Sequence, residues 1–306
     1  MQTVEEITSS EIAVPGSIAN LGPGFDTLAV AVQLYLRVRV VAVPGGERNG
    51  LNFSFVDQQL DGDNFIERAF RHLAGVEGAE FPSLRLEVRS EIPMRGGLGS
   101  SSAAIVAGLR LYERVAGPQP PQRLLTVAAQ LEGHADNVAA ALLGGLVNCC
   151  EFGDGSVHAL SSRWPEEIRF VVATPAAQLQ TLAARRVLPE NLSRKDALFN
   201  LQRVALLLQS FGSGEYGLLR EALQDRWHQP YRQSLVPGFA QALALEHPDL
   251  LGVCLSGSGP SVVGLATGRF PEIEELFVNC YRSLGIDCRV RTLAAHQKRA
   301  PLLVEH

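Results

Sequence analysis

Lysine is almost missing from this chain. Lys195 and Lys298 are the only two among 27 basic residues, and none precedes position 195. A GxxxxGK[ST] phosphate loop, which needs a lysine beside the phosphates, is therefore excluded from the first half. Cysteine is also scarce. Cys149 and Cys150 adjoin, Cys254, Cys280 and Cys288 are scattered, and no CxxC pair occurs. An odd count without that spacing argues against a disulfide framework or a zinc site and suits a reducing compartment. The formal net charge is −5 and no basic cluster is present, which argues against nucleic-acid binding through phosphates. No apolar run approaches the roughly 20 residues that span a bilayer. The first residues, MQTVEEITSSEIAVPG, are acidic and hold no apolar stretch of the kind a secretory signal needs. A soluble cytoplasmic protein, without membrane or nucleic-acid partners, is expected.

What is present is globular. Hydrophobic residues make up 46% and charged residues 19% of 306, near the size at which one core begins to split into two. The first half reads as strands alternating with helices. Phe25 to Val43 predicts a long strand, LNFSFV a second, and SLRLEVRSEIP a third. FIERAFRHLAG carries Phe65, Ile66, Ala69, Phe70 and Leu73 at helical spacing. Helices are also predicted from about Ser101 to Ala116, ended by Gly117-Pro118, and over RLLTVAAQLEG and VAAALLGG, before the strand LVNCC. A boundary falls near Ser161 to Pro165. Beyond it RFVVAT, a helix from Arg194 to Ser210, two strands joined by the turn in LLGVCLSGSGPSVVGLATG, a helix in PEIEELFVNCYRSLG, and CRVRTLA follow. That order, β-α-β-β-α-β, is ferredoxin-like.

Three glycine-serine segments stand out: PGSIANLGPGFDTLA from Pro15, PMRGGLGSSSA from Pro93, and SGSGPS from Ser256. The second lies between a predicted strand and a predicted helix. Amides at a helix start lack internal partners and sit at the positive end of the helix dipole. Glycines let backbone close around an anion and serines add hydroxyls, so the segment reads as a phosphate cradle. The alternative is a tight strand-to-helix turn capped by serine. A dinucleotide fingerprint is excluded, because Ser102 stands where GxGxxG needs its last glycine.

Together the three segments resemble the GHMP kinases, over nearly the whole chain. NLGPGFDTLA, EGHADN (Glu132 to Asn137), TLAARRVLP (Thr181 to Pro189) and HQPYR (His228 to Arg232) are most similar to the homoserine kinases within that superfamily. The resemblance implies an α+β, two-domain GHMP kinase fold: residues 1–163 as a domain like the second domain of ribosomal protein S5, and residues 164–306 as a ferredoxin-like domain. It implies transfer of the ATP γ-phosphoryl group to the side-chain hydroxyl of L-homoserine, a step toward threonine, with Mg²⁺ as cofactor. It leaves room for a homodimer.

Residue by residue, the resemblance assigns ATP to Asn64, Pro93, Arg95, Gly96, Gly97, Leu98, Gly99, Ser100, Ser101 and Ser102. It assigns Mg²⁺ to Glu132 with Ser101, or its neighbour Ser100. It assigns homoserine to Asn20, Asp26, His134, Arg185 and Arg232, with Asn137 and Arg232 near the reacting group and Asp136 a further candidate there. The substrate is a zwitterion, so Arg185 and Arg232 are expected on its carboxylate and Asp26 on its ammonium. Each has a plainer alternative: Glu132 as a solvated acid, His134 as a satisfied core histidine, Arg186 in place of Arg185. No general base is named, because a loose transition state needs charge stabilisation more than a strong base. The chain departs from the usual pattern at Gly16-Ser17-Ile18, at Met94-Arg95 and after Thr181. Competing readings are a GHMP kinase for another small alcohol, such as mevalonate, and a non-catalytic GHMP-fold sensor.

Overall fold

The computed structural model describes residues 7–8, 11–45, 48–57, 62–177, 179 and 181–297. The first half carries β1 (Glu11–Ala19), β2 (Leu28–Ala42), β3 (Leu51–Phe55), α1 (Phe65–Glu77), β4 (Leu84–Ser90), α2 (Ser100–Ala116), α3 (Pro121–Glu132), α4 (Asp136–Leu143), β5 (Leu146–Glu151) and β6 (Val157–Ser162). The second carries β7 (Arg169–Pro175), α5 (Thr181–Arg186), α6 (Arg194–Ser213), α7 (Leu219–Ala222), α8 (Gln229–Arg232), α9 (Phe239–Leu243), β8 (Leu250–Leu255), β9 (Val262–Ala266), α10 (Phe270–Ser283) and β10 (Cys288–Leu293).

The first sheet runs β3-β4-β2-β5-β6, with β1 also paired to β2. Only β3 and β4 are parallel, and α1 supplies the crossover between them. α1 starts where the Asn64 side chain accepts the Glu67 amide and stops at Gly78 in the left-handed region. It buries Ile66, Ala69, Phe70, Leu73 and Ala74, the face that its spacing predicts. Phe65, also expected on that face, is half-buried: it packs against the core and lines a cavity as well. The second sheet runs β10-β7-β9-β8 with every pair antiparallel, which is the ferredoxin-like arrangement.

Two strands were not legible. β1 runs into the first glycine-serine segment, which starts at Pro15, and its register shifts between Pro15 and Gly16. Proline has no amide to give a ladder, so a bulge falls there. β6 occupies the start of the expected boundary and ends at Ser162; β7 begins at Arg169. The chain beyond β10 does not stay with the second sheet. Gln33 donates its amide to the Ala294 carbonyl, His296 to Ala31, and Gly145 to His296. One apolar core continues from the first sheet into Phe170, Val172, Leu223, Cys254 and Val263 of the second half. Both halves therefore share the wall on which the site is built. Among the described residues no helix is long and apolar enough to cross a membrane.

Candidate active site

The three glycine-serine segments meet. Ser17 donates its amide to the Leu98 carbonyl (3.1 Å), Gly257 to Ala19 (3.1 Å) and Ser261 to Gly96 (3.2 Å). The Ser256 hydroxyl donates to the Gly97 carbonyl at 2.7 Å. The first and third segments thus grip the second from both sides. This packing gives its glycines a structural reason of their own. A Cβ on Gly97 would stand 2.6 Å from the Gly259 carbonyl oxygen, and one on Gly99 2.2 Å from Ser17 Oγ. Both glycines also have positive φ, 76° and 71°. Neighbouring protein and backbone conformation therefore exclude a side chain at either position.

Beside this junction opens a cavity of about 800 Å³. Of the expected residues, Asn20, Asp26, Asn64, Arg95, Gly97, Gly99, Ser100, Ser101, Glu132, His134, Asn137, Arg185 and Arg232 line it. Pro93, Gly96, Leu98 and Ser102 do not. Leu98 is fully buried in the core, and Gly96 is buried against the third segment. Pro93 stands behind Gly96. Ser102, the third residue of α2, is fully buried, and its hydroxyl reaches Glu132.

α2 begins at Gly99, which offers no side-chain cap, and its first turn holds no acidic residue. Its leading amides and the positive end of a 17-residue helix dipole are left to face the cavity. Glu132 ends α3 opposite that turn. Its Oε1 accepts both the Ser101 hydroxyl (2.6 Å) and the Ser102 hydroxyl (2.8 Å), so it is a held carboxylate and not a solvated one. His134 Nδ1 lies 2.8 Å from Asp136 Oδ1. Burial works to lower the His134 pKa, but the hydrogen bond and charge of Asp136, with Glu132, outweigh it and hold it above the ordinary histidine value. Asn137 is buried at the start of α4. Its Oδ1 accepts the Ser17 hydroxyl at 2.7 Å, and its Nδ2 faces Asp136 Oδ1 at 3.4 Å. A carboxylate only accepts, so Asp136 fixes which way this amide points.

The two arginines differ. Arg185 makes a two-pronged ion pair with Asp26, at 2.9 and 2.7 Å, and lines the cavity, which Arg186 does not. It also joins the two residues expected on the substrate's carboxylate and ammonium, so each already has a partner of opposite charge. Arg232 is 2% exposed. Its Nε donates to the Ala184 carbonyl (3.1 Å) and its Nη1 to the Gly257 carbonyl (3.0 Å). Among the described residues no carboxylate lies within 4 Å of it. Burial and the nearby Arg185 push its pKa down to about 10. Both guanidinium groups lie over the Phe25 ring, at 5.5 and 5.2 Å from its centre.

Sequence reasoning missed Phe25, Ser17 and His228. It also missed an apolar wall made by Phe55, Phe65, Val88 and Met94. Phe55 and Phe65 carried only a strand signal and a helix-core signal, so nothing marked them as cavity-lining residues.

Two family models match: the GHMP kinases N terminal domain over residues 64–145 and the GHMP kinases C terminal domain over residues 205–277. The chain is 37% identical over 282 residues to the homoserine kinase of Solibacter usitatus, covering 90% of each. It is 37% identical over 311 residues to that of Synechocystis sp., covering 97% of this chain and 99% of the relative. The crystal structure of homoserine kinase from Cytophaga hutchinsonii superposes with a TM-score of 0.82 at 25% identity, covering 94% of this chain and 95% of that one. The chain belongs to the homoserine kinases of the GHMP kinase family.

Proposed function

We propose that this chain transfers the γ-phosphoryl group of ATP to the side-chain hydroxyl of L-homoserine, giving O-phospho-L-homoserine. The observation that carries the reading is Arg232: a buried cation with no carboxylate within 4 Å among the described residues, lining the same cavity as the uncapped start of α2. A desolvated cation without a counter-ion is costly, and a substrate carboxylate would offset that cost. The paired Asp26 and Arg185, beside it on Phe25, offer acceptors for an ammonium group and further donors for the carboxylate. Phosphates fit the amides of Ser100 and Ser101, and the base fits the wall of Phe55, Phe65 and Val88. Asn137 lines the same cavity, its amide oriented by Ser17 and Asp136. Asp136 is not assigned as a base, because its Oδ1 already faces His134 and the amide groups of Asn137.

Magnesium fits the donor chemistry. Among the described residues no group of three or more His, Cys, Asp or Glu side chains could hold a metal by itself. A carboxylate with a hydroxyl, Glu132 with Ser101, is the partial oxygen set that Mg²⁺ uses when phosphates and water complete its shell. Bound there, it would neutralise phosphate charge during transfer. Glu132→Gln is expected to keep the fold and to raise the Mg²⁺ concentration for half-maximal activity by about tenfold or more, since an anionic ligand is lost. An unchanged Mg²⁺ titration would remove Glu132 from the metal site.

A further inference from the structure

His228 is fully buried and is not among the residues that line the cavity. Its Nε2 is 2.7 Å from the Gly22 carbonyl, and its Nδ1 is 3.2 Å from Arg232 Nη1. A carbonyl only accepts and a guanidinium only donates. The two contacts therefore demand one state of the ring: proton on Nε2, lone pair on Nδ1, no net charge. Burial acts in the same direction, holding the histidine pKa below its ordinary value.

The backbone around it is equally committed. Asp225 accepts the amides of Trp227 and His228, at 2.8 and 2.9 Å, and that of Gln229 at 2.6 Å, and so delivers His228 at the start of α8. Arg232 follows four residues later and donates its amide to the His228 carbonyl, so both side chains share one helix face. Gly22, the other partner of the ring, sits in the loop that carries Asn20, Phe25 and Asp26. The imidazole thus bridges the loop bearing Asp26 to the guanidinium of Arg232.

We propose that His228 is a positioning residue for homoserine: its neutral imidazole sets the plane of the Arg232 guanidinium and ties it to the loop of Asp26. This rests on the reading of Arg232 as the carboxylate site. Among the described residues Arg232 Nη1 is otherwise held only by the Gly257 carbonyl, which it shares with the Asn20 amide. Without the imidazole the guanidinium can rotate about its remaining contacts, and a two-pronged grip on a carboxylate depends on that plane.

The test measures KM and kcat for L-homoserine, for its carboxylate-free analogue 3-aminopropan-1-ol, and for ATP. His228→Leu is expected to raise the homoserine KM by about tenfold or more, the cost of roughly one well-aligned hydrogen bond to a charged group. The ATP KM and the kcat/KM for 3-aminopropan-1-ol are expected to stay within about twofold. His228→Gln, with one amide N–H for Gly22 and one carbonyl for Arg232, is expected to restore most of the homoserine KM. If the leucine variant does not fold, His228→Asn replaces it; its side chain is too short to span both partners, and the same split is expected. An unchanged homoserine KM in a folded variant overturns the proposal, and so does an equal loss with both acceptors. Failure of the unaltered protein to phosphorylate homoserine counts against the proposed function instead, and is read before any variant.

Discussion

Arg232→Met is expected to cut kcat/KM for L-homoserine by about tenfold to more than a hundredfold, with little change in the KM for ATP. A hydrogen bond to a charged group contributes about 1.5–3 kcal/mol, and each 1.4 kcal/mol is roughly tenfold. Methionine fills much of the same volume, so the loss is of charge and donors more than of packing. The Ala184 and Gly257 carbonyls that Arg232 now satisfies lose a donor, and melting temperature is therefore measured alongside activity. The contrast with 3-aminopropan-1-ol separates the two causes. That compound has no carboxylate to lose, so it should be a poor substrate of the unaltered enzyme and suffer little further in the variant. Equal losses with both acceptors would mean general damage, and Arg232 would not be the carboxylate site.

The second large effect concerns the grip between the glycine-serine segments. Gly97→Val and Gly99→Val are expected to abolish ATP turnover and lower stability. At Gly97 the new Cβ meets two backbone oxygens, of Gly259 and Ser256, at 2.6 and 2.7 Å. Backbone cannot swing aside as a side-chain tip can, so the loop must separate from the third segment and the start of α2 must move. A non-glycine residue at positive φ adds about 1–3 kcal/mol. Gly214→Ala isolates that strain. Gly214 ends α6 in the left-handed region with φ of 78°, and nothing lies within 4 Å of where a Cβ would stand. It should lose stability while keeping ATP binding. Native nucleotide affinity in a folded Gly97→Val protein would show that the junction does not shape the phosphate site.

Much of this arrangement was legible in the residues. The long strand β2, the helix α1 and the ferredoxin-like second sheet followed from periodicity, because apolar spacing reports which face meets a core. The three glycine-serine segments were visible as unusual composition, and they do converge. What composition could not convey is how they interlock. Gly97 reads the same whether it faces a phosphate or the Gly259 carbonyl. β1 was hidden because Pro15 and Gly16, both poor strand residues, mark a bulge in a strand that its neighbours complete. The partnership of Asp26 with Arg185 joins residues far apart in the chain, and no local pattern encodes it. His228 was quoted within HQPYR, yet its task depends on Gly22, which only the fold brings near.

The most direct test of the account is one measurement: kcat/KM of the purified protein for L-homoserine and for mevalonate, with ATP and Mg²⁺, and the product identified by its added phosphoryl group. Homoserine presents a carboxylate for Arg232 and an ammonium for the Asp26 side of the site, whereas mevalonate has no ammonium. The account predicts O-phosphohomoserine as the product and a preference for homoserine of at least about tenfold, the worth of roughly one hydrogen bond to a charged group. Faster phosphorylation of mevalonate, or no transfer to homoserine in a folded protein that binds ATP, would contradict it.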